Sequence, residues 1–267
     1  MKSRKRFLIL SALVAVCLSS CSNDEDVNVN DGAVCFTAGI GKEAVATPQS
    51  RAAGTQWGAG DKIGIFMVYS RTDDIADNAS NKEYTTANGA GIFTPIIGNE
   101  INYPVDGSQV DFIAYYPHAE NAPLGAPLSV QVATTQTATS QAGCDLMWAK
   151  ANNGGPGYDK YDTDAVELTF GHCLSKLTMN CKLDKSVGVS TLDGATVTIK
   201  GMNTRNTFDL KNAALSSMPD TPQDIVPNKL SVATTGFLAT YDAIIQPGSY
   251  AAGAVTVEFE VNSETYT

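Results

Sequence analysis

Only two histidines occur in 267 residues, His118 and His172. A metal centre built on imidazole needs several such ligands, so His-rich metal sites and zinc enzymes are nearly excluded. There is no Cys-x-x-Cys pair, which removes zinc ribbons and thioredoxin-like redox motifs. Charged residues make up 17%, below the roughly 25% of an average soluble domain. That is too few for a coiled coil or a charge-driven disordered chain. Positive charge is scarcest: 18 Lys and Arg face 28 Asp and Glu, for a net charge of -10. Phosphate backbones are held by a Lys/Arg surplus, so no nucleic-acid partner is expected. A Gly-x-Ser-x-Gly elbow, a Walker loop and a His-Glu-x-x-His pair are all missing. No sustained 3.6-residue apolar stripe marks an amphipathic helix.

What is present is apolar content of 43% and an alternation of period two. Ile63, Ile65, Met67 and Tyr69 share one face, and Gly64, Phe66 and Val68 the other; that strand reads as buried on both sides. Val110, Phe112, Ala114 and Tyr116 alternate with Asp111, Ile113 and Tyr115. Val166, Leu168 and Phe170 alternate with Glu167 and Thr169, and Val255, Val257, Phe259 and Val261 with Thr256, Glu258 and Glu260. Half-polar strands of this kind suit antiparallel sheets with one solvated face. Turn chemistry separates them, as at Gly58-Ala59-Gly60-Asp61, Asn88-Gly89 and Gln246-Pro247-Gly248. Thr134–Ser140 reads as exposed strand and loop. The expected fold class is all-β, two antiparallel β-sandwiches. The composition break at Asn152–Tyr161 sets the division: signal 1–20, acidic tether 21–31, an N-terminal domain 32–165 and a C-terminal domain 166–267. At the chain's end a turn at Asn262-Ser263-Glu264 starts a return strand that stops at Thr267. A strand cut so short exposes a sheet edge. The second domain therefore reads as incomplete, through truncation or because the missing strand comes from another chain.

The first twenty residues read as an address. Lys2, Arg4, Lys5 and Arg6 precede an apolar run from Phe7 to Leu18, too short to span a bilayer. Leu18-Ser19-Ser20-Cys21 resembles the lipobox of bacterial lipoproteins, which makes Cys21 the lipidated residue and a cell outer membrane anchor. The acidic run Asp24-Glu25-Asp26 that follows resembles a lipoprotein surface-export signal. Of the remaining cysteines, Cys173 and Cys181 read as lying on one strand, out of disulfide reach at about 3.3 Å per residue. Free thiols are the default, and a Cys35–Cys144 bridge stays open.

Candidate chemistry is sparse. His118 follows Tyr115-Tyr116-Pro117, and His172 stands beside Cys173, but neighbours on a strand point to opposite faces. Structural histidines and no enzyme are the expectation. Asp159, Asp162 and Asp164 share a loop without calcium-loop spacing and read as a solvated acidic loop. No metal and no cofactor is called for. Trp57 and Trp148 read as packing residues. Tyr158 and Tyr161 read as exposed aromatics that would suit a ligand.

Five motifs in order carry a resemblance. They are Trp57-Gly58-Ala59-Gly60-Asp61-Lys62-Ile63-Gly64, then Asp111-Phe112-Ile113-Ala114-Tyr115-Tyr116-Pro117, then Asp145-Leu146-Met147-Trp148-Ala149. The fourth is Phe170-Gly171-His172-Cys173-Leu174-Ser175-Lys176-Leu177, and Ile244-Ile245-Gln246-Pro247-Gly248 closes the series. Together they resemble the fimbrillin-like family over about Trp57 to Gly248. Within them Gly58 and Gly60 permit a tight turn that Asp61 caps, Gly64 admits a close neighbour, and Lys176 reads as a solvated strand residue.

The resemblance implies two tandem transthyretin-like sandwiches, exported as a lipoprotein and polymerised into type V fimbriae by donor strands. It implies an arginine-specific protease that cuts after an arginine following the first strand. Val34, Phe36 and Ala38 alternate as such a strand, and Arg51 is the only Lys or Arg between Lys42 and Lys62. The implied cut lies between Arg51 and Ala52. The implied partners are other fimbrial subunits, the lipoprotein export machinery, that protease, the outer membrane through lipid, and a host or bacterial receptor that the sequence does not name. The competing reading is a monomeric surface lipoprotein that binds glycan or host protein.

Overall fold

The structure, a computed structural model, describes residues 32–41, 56–72, 74–184, 191–218 and 222–267. The signal, the tether, Cys21, Arg51 and Ala52 lie outside the described residues. The chain is all-β but for one helix among the described residues.

Seven strands form a hydrogen-bonded ring. In order round the ring they are β1 (Phe36–Ile40), β4 (Ile92–Pro95), β3 (Lys82–Thr85), β2 (Lys62–Tyr69), β5 (Val110–Tyr116), β7 (Met147–Ala151) and β8 (Val166–His172). Neighbours are antiparallel except at the closure, where β1 runs parallel to β8 from Phe36↔Val166 to Ile40↔Phe170. The ring is filled by Phe36, Ile63, Ile65, Met67, Tyr84, Phe112, Val166 and Phe170.

β6 (Leu128–Gln131) leaves the ring and pairs with β11 (Arg205–Asp209), which also pairs with β12 (Ala214–Ser217). β9 (Ser175–Cys181), β15 (Ala239–Ile245) and β14 (Asn228–Lys229) make a second sheet. β10 (Thr196–Met202), β13 (Gln223–Ile225), β16 (Thr256–Val261) and β17 (Glu264–Tyr266) make a third. The outer face of the ring, with Phe66, Val68, Ile113 and Tyr115, packs against Ile199, Phe208, Leu210, Ala243 and Ile244 of these sheets.

Several expectations change. β5 carries Asp111 on a face that reads as solvated, yet all seven of its residues are buried. That face lies inside the second core, and the Asp111 carboxylate accepts from Ser70 Oγ at 2.7 Å with Lys150 Nζ at 3.6 Å. The Asn152–Tyr161 stretch links β7 to β8, both in the ring, so β8 from 166 onward keeps company with the strands before it. Cys173 lies between β8 and β9, not on one strand with Cys181, and Cys35, Cys144, Cys173 and Cys181 are all free thiols. The run from Thr134 is only partly strand and loop: Thr135 bridges in parallel to Val226, and α1 (Ala138–Cys144) follows. Thr137 Oγ1 accepts from Ser140 N–H, and Ser140 Oγ accepts from Thr137 N–H. This reciprocal capping is the local signal that strand periodicity overlooks.

That helix pins β15. The Gln136 side-chain amide donates to Ile244 O at 2.7 Å and accepts from Ile244 N–H at 2.8 Å. Gln141 Nε2 donates to Asp242 Oδ1 at 3.1 Å. Asp242 also receives Asn228 Nδ2 at 2.9 Å and Lys176 Nζ at 2.9 Å. Lys176 is therefore no free solvated residue: it crosses from β9 to β15 and ends on a buried carboxylate. Burial alone would raise the Asp242 pKa, but these donors and the Lys176 charge outweigh it and hold it below the ordinary carboxylate value.

Two predictions follow from this packing. Gly64 faces Tyr115 across β2 and β5, where an added Cβ would fall on the Tyr115 ring and Asn81 Oδ1. Gly64→Ala should cost about 1–3 kcal/mol by overpacking, read as a lower denaturant midpoint. Lys176→Met leaves a buried carboxylate without its counter-charge, held only by the Gln141 and Asn228 amides, and should cost up to about 3–5 kcal/mol at neutral pH. Because the Asp242 pKa is depressed in the fold, its stabilisation is present above the ordinary value and lost as pH falls through the depressed one. The gap between wild type and Lys176→Met should thus narrow in acid; a pH-independent gap would contradict the assignment.

Candidate functional site: the β1 seam

β1 has five residues and alternates in burial, with Phe36 and Ala38 inward and Gly39 out. Its N-terminal approach is tied by Val34 N–H to Ile101 O at 2.9 Å. On one side it pairs with β4 only at Phe36↔Phe93 and Thr37↔Ile92. Beyond that the pairing is carried by other groups. Ala38 N–H donates to Gly91 O at 2.7 Å, and Trp57 Nε1 donates to Ala38 O at 2.8 Å. On the other side Val166 N–H donates to Cys35 O and Gly41 N–H to Phe170 O, each at 2.8 Å. Phe36 meets Tyr84 and Phe112 edge-on, with centroids 5.1 Å apart in each case.

Trp57 is the clamp of this seam. Its ring sits 5.1 Å from Phe93, 5.5 Å from Tyr116 and 5.1 Å from Phe170, all edge-to-face. Pairs of this geometry contribute about 0.5–1.5 kcal/mol each beyond area burial. The turn that delivers Trp57 is closed as the sequence suggests. Asp61 Oδ2 accepts from Gly58 N–H at 2.7 Å, Asp61 N–H donates to Gly58 O at 3.2 Å, and Gly60 takes φ +85°. The other carboxylate oxygen, Asp61 Oδ1, accepts from Tyr116 Oη at 3.3 Å. The Tyr116–Pro117 peptide is cis, and burial together with the Asp61 charge raises the Tyr116 phenol pKa well above its usual value.

A small cavity of about 150 Å³ lies beside the clamp, between Trp57, Asp61, Tyr116, Asp145 and Met147. His172 Nδ1 is 3.0 Å from Asp145 Oδ1, at the end of β8. The motif residues Trp57, Asp61, Tyr116, Phe170 and His172 thus gather at one end of the ring. Gly64 and Phe112 lie further along it, against Tyr115 and against Phe36 and Tyr103. Trp148 stands apart: its Nε1 donates to Leu210 O at 2.7 Å and ties β7 to the end of β11.

The chemistry available here is structural. Burial pushes the Cys173 thiol up to about 12, with the Asp145 charge adding to it, the opposite of an activated nucleophile. His118 Nδ1 lies 3.2 Å from Glu83 Oε2, while Lys62 Nζ sits 2.7 Å from Glu83 Oε1; burial lowers the His118 pKa despite Glu83. Among the described residues no group of three His, Cys, Asp or Glu could hold a metal ion. Asp162 Oδ2 accepts from Asp159 N–H at 2.8 Å, and Asp159 Oδ1 from Tyr161 N–H at 2.9 Å. These carboxylates close their own loop. Tyr158 is not exposed but packs on Phe112 at 5.7 Å, whereas Tyr161 is 78% exposed. No helix among the described residues is long and apolar enough to cross a membrane.

The geometry is that of an all-β protein whose motif residues hold a short first strand, and comparison supplies the family. The fimbrillin-like family profile matches residues 50–267, and the chain belongs to that family. It is 37% identical over 212 residues to a candidate fimbrium subunit, Fim1C, of Bacteroides uniformis; the match covers 78% of this chain and 65% of that relative. A crystal structure of a candidate cell adhesion protein from Bacteroides uniformis superposes with a TM-score of 0.67 at 31% identity, covering 89% of this chain and 84% of that one. One from Bacteroides ovatus shares the fold, with a TM-score of 0.63 at 21% identity and coverage of 88% and 84%.

The clamp makes a prediction. Trp57→Phe keeps an aromatic ring but removes the donor to Ala38 O, leaving a buried carbonyl unpaired at a cost of about 1–3 kcal/mol. Amide hydrogen exchange at Phe36 and Ala38 should speed up more than at Phe112 and Ala114 in β5. Equal acceleration in both strands would mean that Trp57 supports the whole ring and not the seam.

Proposed function

We propose that the protein is a structural subunit or accessory adhesin of cell-surface fimbriae, exported as a lipoprotein and assembled by strand exchange at the β1 seam. The observation that carries this reading is the seam itself. Removing five residues would uncover inward pockets at Phe36 and Ala38 and two facing strand edges, β4 and β8. An open edge beside apolar pockets is what an incoming strand satisfies, its backbone filling the ladder and its alternate side chains the pockets. Repeated head-to-tail, such a contact makes an open filament.

In this reading residues 1–20 are the signal, Cys21 carries lipid at the outer membrane, and an arginine-specific protease cuts between Arg51 and Ala52. Arg51 falls between β1 and β2 in the chain, so one cut there separates β1 from the strands that follow it. The partners are other fimbrial subunits and the lipoprotein export machinery. The fimbrium relative and the cell-adhesion likeness support the reading.

The test is the N-terminus and mass of the protein recovered from the cell surface. Cleaved chains should begin at Ala52 and be found in filaments, and Arg51→Ala should leave acylated, unpolymerised subunits. Filaments built of chains that still begin at Cys21 would sink the strand-exchange route.

A further inference from the structure

Far from the seam, two cavities meet at the turn that follows β15. The first, about 230 Å³, is lined by Asn203, Asn206, Ser217, Gln246, Ser249 and Tyr250 among others. The second, about 340 Å³, shares Gln246, Pro247, Gly248 and Tyr250 with it and is otherwise walled mainly by Met202, Ile245 and Val255. They form one cleft with a polar end, an apolar end and a tyrosine between. The Tyr250 ring is set in place against Gly248.

The floor of the polar end is a buried amide pair. Gln246 and Asn206 are 1% and 3% exposed. Gln246 Nε2 faces two carbonyls, Val130 O at 3.3 Å and Thr204 O at 3.5 Å. Carbonyls only accept, so the amide nitrogen belongs on that side and Oε1 on the other. Oε1 accepts from Asn206 Nδ2 at 3.0 Å. This fixes the second amide in turn: Asn206 must present nitrogen to Gln246, and its Oδ1 has no hydrogen-bond partner among the described residues. A side-chain acceptor left open in this way is matched by water or by a ligand. Here the residue that carries it lines the cleft.

Among the described residues no Asp, Glu, Lys or Arg lines either cavity, in a chain that carries 28 acidic and 18 basic residues. These residues offer a charged ligand no counter-charge. A saccharide matches the lining. Its hydroxyls both donate and accept, as neutral amides and serine hydroxyls require, and the C–H face of a pyranose is apolar and packs on aromatic and aliphatic side chains. The cavities are at the small end of ligand-site volumes, about 300–1,000 Å³, which suits one or two sugar rings better than an extended peptide. Trp57 and Trp148 are both occupied within the fold, which leaves Tyr250 as the aromatic available to such a ligand at this cleft.

We propose that this cleft binds a neutral saccharide, with Asn206 Oδ1 and Asn203 taking hydroxyls and Tyr250 the ring face. The reading is independent of strand exchange, since none of these residues lies at the β1 seam.

The test uses the purified full chain and a panel of neutral hexose and N-acetylhexosamine disaccharides, followed by the side-chain amide NMR signals of Asn203, Asn206 and Gln246. Saturable shifts at these three amides are expected with at least one member. Asn203→Ala and Tyr250→Ala, both at half-buried positions, should each weaken that binding by about tenfold or more while leaving the thermal midpoint near that of wild type. Ser217→Trp, which plugs the polar end, should abolish it. No shift from any member at millimolar concentration would overturn the proposal. So would binding that survives all three substitutions, or a sulfated or sialylated disaccharide that binds as tightly as its neutral counterpart.

Discussion

The ring of seven strands depends on what happens at Ala38. A strand wedged between two others must satisfy its backbone on both sides, because buried N–H and C=O groups without partners are costly. β4 supplies only two aligned positions to β1, so the ladder would lapse after Thr37. Gly91 O and Trp57 Nε1 take over, and the indole does from a side chain what a neighbouring strand would do from its backbone. The same indole then fills the end of the core with Phe93, Tyr116 and Phe170 around it. One residue therefore couples ring closure to core packing, and the Asp61 turn that orients it is tied to Tyr116.

The rest of the molecule is built onto the outer wall of that ring, and the interlock is polar as well as apolar. β6, early in the chain, pairs with β11, and Trp148 of β7 reaches Leu210. Gln136 and Gln141 hold Ile244 and Asp242 of β15. At Ile244, past the two residues of β14, the Gln136 amide takes the place of a strand partner. Lys176 closes the network on Asp242 from β9. Breaking one member leaves several buried groups unpaired at once, so the network should resist loosening until it fails as a unit.

How far the sequence could be read follows from the range of each interaction. Alternation is local, and it identified the strands β2, β5, β8 and β16 within a residue or two. The Gly58–Asp61 turn is local too, and its capping carboxylate behaves as its chemistry requires. What alternation cannot tell is how many faces a strand buries. Asp111 has the look of a solvent residue in β5, and only Ser70 beyond β2 and Lys150 on the next strand give its buried carboxylate partners. Lys176 has the same problem: its partner is 66 positions away in sequence, on a strand whose register nothing local specifies. The motif residues Trp57, Asp61, Tyr116, Phe170 and His172 were visible as a resemblance. That they share one end of one ring was not.

That convergence bears on what the motifs are for. Residues that recur in a pattern invite a catalytic reading, and a buried carboxylate beside a histidine strengthens it. Here the nearest thiol, Cys173, is pushed away from ionisation by burial, and the carboxylates of Asp61 and Asp145 are committed to Gly58, Tyr116 and His172. The groups around Trp57 spend their hydrogen bonds on one another and on β1. A cluster arranged in this way bears on how firmly one strand is seated. The Tyr250 cleft is the converse. Only its Gln246-Pro247-Gly248 turn belongs to a motif, its two amides lie 40 positions apart, and its polar lining leaves an acceptor open to the cleft.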